Sequence, residues 1–439
     1  MKTRDILFIG FTLFALFFGA GNLIYPVSLG MEAGTSYFAA IAGFVLTGVG
    51  IPVITVAGIS LVRNGAVELA GRVHPLFGIL FTSVIYLAIG PFFGIPRAAN
   101  VAYEIGVSPW LSHPSSGTLL LFTLVFFAVV FWVSLNPSKL VDRIGQWLTP
   151  ALFLAIVGLV VGSFFFLDGQ IQPPEEKYQT QPFFTGFIEG YLTMDAIAAL
   201  AFGILVVHSF RSRGVENEKT LTIKTLQAGL VTAAGLTGVY VSIGWIGAKM
   251  ASEGTYANGS AILAAASKLM YGEVGTLLLG IIVGLACFTT CVGLTVACGQ
   301  FFSERVKFLS YKTVVTLITL LSFGVANIGL NQIIAYSVPV LVFVYPIAIV
   351  LVILTFTGGL FHHSKYVYRG AIFFTAILSL YDGLKALGAD VTFAEPWVSQ
   401  LPLFSLNLGW MAPALVGVLL GGLYHLIKSA ASASEGYQG

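Results

Sequence analysis

Phe17-Phe18-Gly19-Ala20-Gly21-Asn22-Leu23-Ile24-Tyr25-Pro26 lies inside the first apolar run of this chain, Ile6 to Met31, and its reading decides the fold. A run that long crosses a bilayer as a helix, since about 20 apolar residues suffice. Yet each glycine costs about 1 kcal/mol of helix propensity relative to alanine, and an asparagine follows the two glycines. Irregular backbone at membrane depth persists only where it lines a cavity or is buried in protein. An unwound segment presents N–H groups at one half-helix end, which suit a carboxylate, and C=O groups at the other, which suit a cation. Close helix packing on small residues is the alternative, but packing has no need of an amide.

Outward from this stretch the chain is built for lipid. Of its 439 residues, 57% are hydrophobic and 9% charged, against about 25% charged in soluble domains. Further uncharged runs follow: Ala33 to Val62; Pro75 to Pro96, extending helically to Glu104; a run within Ile105 to Ser138, past a loop at Pro109 to Gly117; and Ile144 to Leu167. Then come Phe183 to Phe210, Thr225 to Ala248 and Val274 to Ser303. Thr313 to Ser364 has no charge and is too long for one crossing, so it divides at Asn327 to Asn331. Val367 to Leu387 and Trp410 to Ile427 complete twelve. The expectation is an all-α membrane protein with one transporter domain over 1–428 and a disordered tail over 429–439. No cleavage site follows a short apolar core, so the first run reads as a retained span.

Loop charge orients the chain. With the N-terminus inside, sixteen Lys and Arg face inward and only Lys177, Lys249, Lys268 and Lys385 face outward. That bias places both termini in the cytoplasm. A net charge of +2 with no basic block gives no surface for nucleic acid. Cys287, Cys291 and Cys298 share one span and read as packing residues rather than metal ligands. No nucleophile–base pair, zinc spacing or phosphate loop is present, so an enzyme is not expected, nor is a cofactor or an obligate protein partner.

The sixth span breaks its own rules too. Asp195 sits twelve residues past Phe183 and fifteen before Phe210, near mid-depth. A carboxylate there costs about 2.5–3.5 kcal/mol and marks an ion or substrate path, unless it bonds a neighbouring helix structurally. Breaks in spans one and six fit an inverted five-plus-five repeat with its site at the midplane. The repeats are expected over 5–167 and 183–356, with two extra helices over 367–428. In span eight, Thr289 and Thr290 either back-bond to the preceding turn or complete an oxygen cage for a hard cation. Arg97, Asn100 and Glu104 read as an interfacial ion pair with a snorkelling arginine, with an outer gate as the alternative. Pro91 and Pro96 are expected to kink span three. Glu189 reads as a cap or water-facing acid, and Asp382 is expected to pair with Lys385.

Three stretches carry a family resemblance: Asp5 to Pro26, Gly94-Ile95-Pro96-Arg97-Ala98-Ala99-Asn100-Val101-Ala102-Tyr103-Glu104, and Ala198-Ala199-Leu200-Ala201-Phe202-Gly203. They resemble the bacterial branched-chain amino acid:cation symporter family, over nearly the whole chain. The resemblance implies a fold of the leucine-transporter type, placement in the bacterial inner membrane, and uptake of leucine, isoleucine and valine. The driving cation would be sodium or lithium, with a proton as the other option. By the same match, the backbone of Ala20 and Gly21 beside Asn22 would hold the substrate carboxylate. Carbonyls of Thr193, Met194 and Asp195 would face its ammonium. Phe17, Tyr86 and Phe288 would wall the pocket. Carbonyls of Ala15 and Phe18 would meet the cation, with Ala286, Thr289 and Thr290 completing its site. The wider fold often carries an arginine between the Gly-Asn pair and the proline. Here Leu23, Ile24 and Tyr25 stand instead, which removes an ionic gate from that position. An uncoupled channel or facilitator is the alternative function.

Overall fold

The computed structural model describes residues 3–135 and 139–435, with the side chains of 139–152 and 430–435 left aside. The first apolar run becomes two helices, α1 (Thr3–Phe17) and α2 (Gly21–Ala33), separated at Phe18-Gly19-Ala20. The second span is α3 (Tyr37–Val45) and α4 (Ile51–Ile59), joined through a π turn at Leu46–Gly50. A short α5 (Gly65–Gly71) leads to the third span, α6 (Pro75–Leu87) and α7 (Gly94–Gly106). Between these two, a π turn at Ala88–Phe92 contains Gly90, non-helical at φ −87° and ψ −116°, so the kink expected from Pro91 is present. Then come α8 (Ser116–Leu135), α9 (Lys139–Phe166) and a single turn, α10 (Glu176–Gln179).

The sixth span is again divided, into α11 (Pro182–Glu189) and α12 (Asp195–Arg211), bent by 46°. After it run α13 (Glu218–Met250), α14 (Gly259–Arg305), α15 (Tyr311–Ala326) and α16 (Leu330–Thr357). α14 turns a corner at Gly272, whose φ of 62° favours a glycine. Last are α17 (Lys365–Ala386), α18 (Glu395–Val398) and α19 (Met411–Glu435). The helix therefore continues through much of the stretch expected as a tail, and 436–439 lie outside the described residues.

By length and composition, seven described helices suffice to cross a membrane, and the bent pair α11–α12 makes eight. α9, α15 and the short α1 bring further apolar turns; the count of twelve depends on accepting such pieces as crossings.

The helices pack as two bodies. In one, α13 lies on α2, α1 and α4, while α11 packs on α3 and α12 on α4. In the other, α14 lies on α7, α9, α15 and α8. α17 packs between α16 and α19. Both broken spans belong to the first body. Across the seam, α14 also touches α2.

At the end of the molecule far from Thr3, Lys177 clamps α2 to α11, with Nζ 2.5 Å from Glu32 and 2.7 Å from Glu189. Tyr178 donates to Glu189 as well, at 2.5 Å. Glu189 is thus a structural acid rather than a free cap. Burial pulls the Lys177 ammonium down, but Glu189 and Glu32 outweigh it and hold the group above its ordinary range. Its contribution is complete below the usual lysine value and is lost only as pH rises through the raised one. Lys385 pairs with Glu395 at 3.0 Å, not with Asp382, because the chain after α17 folds back over its end.

Candidate functional site

The break in span one leaves backbone groups without partners. Among the described residues, the carbonyls of Ala15, Leu16 and Phe17 accept no backbone hydrogen bond, and the N–H groups of Ala20 and Gly21 donate none. Asn22 closes the turn: its Oδ1 accepts from the Gly19 N–H at 2.9 Å. This gives a physical role to the asparagine that packing alone did not explain.

The break in span six is formed by a 3₁₀ turn, Gly190–Thr193, and by Met194 in the left-handed conformation, φ 69°. α12 restarts at Asp195. The Asp195 carboxylate faces span one and span seven: Oδ2 accepts from Asn22 Nδ2 at 2.6 Å and from the Tyr240 hydroxyl at 2.8 Å. Asn22 and Tyr240 also hydrogen-bond each other. The two breaks are therefore tied together by a carboxylate, an amide and a phenol. Tyr240 carries no signal in the sequence, being one aromatic residue in an apolar helix.

Arg97 is where the sequence reading and the structure part. It sits nine residues before the end of α7, at Gly106, which is about 13 Å of helix. Its arm does not snorkel outward and it forms no ion pair with Glu104. It crosses the seam instead. Nη1 donates to the Leu192 carbonyl at 2.8 Å and the Tyr25 hydroxyl at 3.1 Å, and Nη2 donates to the Thr193 carbonyl at 3.2 Å. The guanidinium also lies over the Tyr25 ring, 5.3 Å from its centroid. A Cβ added to Gly21 would come within 2.6 Å of Arg97 Nη2. The guanidinium thus reaches the stretch between Asn22 and Pro26 from the third span. Asn100 bonds the carbonyls of Pro96 and Ala326, and Glu104 accepts from Asn258.

The expected ammonium acceptors are engaged otherwise. The Thr193 carbonyl is taken by Arg97, and the Met194 carbonyl accepts from the Ala198 N–H at 2.9 Å within α12. On α14, Thr289 back-bonds to the Ala286 carbonyl at 2.9 Å, while the Thr290 methyl lies 3.7 Å from where a Gly19 Cβ would stand. Thr290 therefore reaches the break of span one from the opposite body, with its methyl toward Gly19. Phe17 and Phe18 are buried there, Phe18 stacked on Phe14. Phe288 turns edge-on to Phe126 of α8.

Tyr86 is not brought to these groups. It stacks on Phe301 at 4.1 Å, beside Arg305 at the other end of α14, and its carbonyl accepts from Cys298. It stands eleven positions before Arg97 in the chain, with the Gly90 kink between them. All three cysteines are free and buried.

Asn22, Thr193, Asp195 and Arg97 are all buried, each 1–4% exposed. The arrangement has an anionic or proton-bearing group, a fixed cation, unpaired backbone at a helix break, and a threonine across the seam.

Residues 2–428 match a family described as branched-chain amino acid transport protein. The branched-chain amino acid permease BraB of Bacillus subtilis is 45% identical, over 96% of this chain and 95% of its own length. The permeases named BrnQ from Bacillus subtilis and Escherichia coli K12 are 44% and 41% identical, over 97% and 96% of this chain and 98% and 95% of their own lengths. Among solved structures, the fold is similar to that of Mhp1, a nucleobase-cation-symport-1 family transporter solved closed with bromovinylhydantoin. The TM-score is 0.61 at 13% identity, over 96% of this chain and 93% of that one. MhsT in complex with L-phenylalanine gives 0.55 at 17%, over 96% and 99%.

Proposed function

The chain belongs to the branched-chain amino acid transport protein family, and on that premise we propose that it carries leucine, isoleucine and valine into the cell together with a cation, sodium first, by alternating access. The observation that carries this reading is the meeting of two broken spans, tied by Asn22, Asp195 and Tyr240, with Thr290 facing them from the other body. The unpaired N–H groups of Ala20 and Gly21 suit the substrate carboxylate. Unpaired carbonyls near Ala15, with the Ala286 carbonyl and the Thr289 and Thr290 hydroxyls, suit a hard cation. Asp195 serves the ammonium, a second cation or a proton. On this reading the twelve spans form two inverted repeats of five plus two helices, both termini face the cytoplasm, and the membrane is the bacterial inner one.

One charge entering through 100 mV supplies about 2.3 kcal/mol, which sustains roughly a fifty-fold solute gradient before any cation gradient adds to it. Uptake of radiolabelled leucine into proteoliposomes tests the coupling. Accumulation should require an inward sodium gradient, and the Thr289→Ala/Thr290→Ala double variant should lose that requirement together with accumulation. Equal leucine entry with and without the gradient points to a facilitator instead. Asp195→Asn that keeps full coupled uptake at every pH removes the carboxylate from coupling.

A further inference from the structure

We propose that the Arg97 guanidinium binds the carboxylate of the transported amino acid on the one edge that the protein leaves free. The proposal rests on the transport reading above and adds a recognition residue to it.

A guanidinium has five N–H donors in a fixed plane. Both protons of Nη1 are used, on the Tyr25 hydroxyl and the Leu192 carbonyl. Nη2 uses one, on the Thr193 carbonyl. Nε is buried and has no partner among the described residues. The donors left over are those of Nε and Nη2, which lie side by side on one edge. That edge is the fork that takes a planar carboxylate through two parallel bonds.

The location fits. Arg97 Nη2 lies against the Gly21 backbone, where the N–H groups of Ala20 and Gly21 also lack acceptors. An amino acid carboxylate seated there meets the guanidinium edge on one side and a helix N-terminus on the other. The charge fits as well. Arg97 is 4% exposed and forms no ion pair among the described residues. Its three oxygen partners solvate the cation, and the Asp195 carboxylate attracts it through space without touching it, so the buried charge still has no direct counter-ion. Asp195 does not occupy the free edge: its Oδ2 is held by Asn22 and Tyr240, and no direct ion pair joins it to Arg97. An anionic ligand supplies what the site lacks.

The test is calorimetric binding of leucine and of leucinamide to the purified protein and to Arg97→Met and Arg97→Lys. Leucinamide keeps the side chain and the ammonium but loses the carboxylate charge. Arg97→Met should weaken leucine binding by roughly ten- to a hundredfold, the worth of a charge-assisted pair of bonds. Leucinamide should change far less, so the preference for leucine collapses; Arg97→Lys, lacking the fork, should fall between. Equal losses for both ligands, or an unchanged preference, overturn the proposal. Should neither variant fold, the wild type decides. With ¹⁵N on its arginine side chains, bound leucine carrying ¹³C at the carboxyl should show dipolar contact to a guanidinium nitrogen, and bound leucine without that contact overturns the idea. A wild-type protein that binds neither leucine nor leucinamide sinks the transport reading itself, and this inference with it.

Discussion

Gly21 carries a constraint that Gly19, two residues earlier, does not. A methyl group at Gly21 would meet Arg97 Nη2 at 2.6 Å and the Thr193 carbonyl at 3.2 Å, whereas at Gly19 the nearest atoms are 3.7 Å away. Gly21→Ala must push Arg97 off its carbonyls, and overpacking of this kind costs about 1–3 kcal/mol. Leucine uptake by Gly21→Ala should therefore fall roughly tenfold or more, while Gly19→Ala stays within about twofold. Similar losses from both would mean that the glycines serve flexibility rather than space. The glycines, Asn22 and Asp195 were legible because each is a residue that an unbroken membrane helix has no use for. Arg97 was visible but misplaced. Its partners lie 72 to 96 residues away along the chain, and whether an arginine reaches outward or across is decided by the rotation of its helix. Tyr86 differs for another reason: it stacks on Phe301, and an apolar run does not fix which of its aromatic residues stands at the depth of the breaks.

Among the elements, the hinge between α11 and α12 turns on Met194. A non-glycine residue in the left-handed conformation costs about 1–2 kcal/mol, and Met194 accepts it while being 3% exposed. Replacing it by alanine or glycine loses the same packing, but only glycine relieves the backbone. Met194→Gly should thus be more stable than Met194→Ala by about 1 kcal/mol, the reverse of the order inside a helix. Thermal melts of the two variants in detergent check this, and the ordinary order would mean that the turn rearranges. The position of this break could be read from Asp195 and its polar neighbours. Its conformation could not, since nothing in a methionine announces a positive φ. The boundary between α15 and α16 was legible for a plainer reason: Asn327 and Asn331 are the only asparagines in a run of 52 uncharged residues.

For the whole molecule, the partition into two bodies predicts which distances change. Spin labels at Thr35→Cys and Glu253→Cys report on one body, at the ends of α2 and α13. Labels at Thr35→Cys and His113→Cys span the seam. The three native cysteines are buried and should not label. On adding sodium and leucine, the first distance should stay fixed and the second should shift. A change in the first would mean that α2 and α13 part company. Neither body could be drawn from hydropathy, because the long helices at their centres, α13 and α14, show little amphipathic pattern to say which neighbour each face meets.

The backbone of Gly30 lies directly against the Gly244 carbonyl, and that of Gly247 against the Val27 carbonyl, with no side chain between α2 and α13. Two rods in such contact are keyed like the teeth of a rack. To slide by one residue, either helix would have to drive a side chain through the other's backbone. Sliding in register is thereby closed to this pair, and α2 and α13 can shift only together.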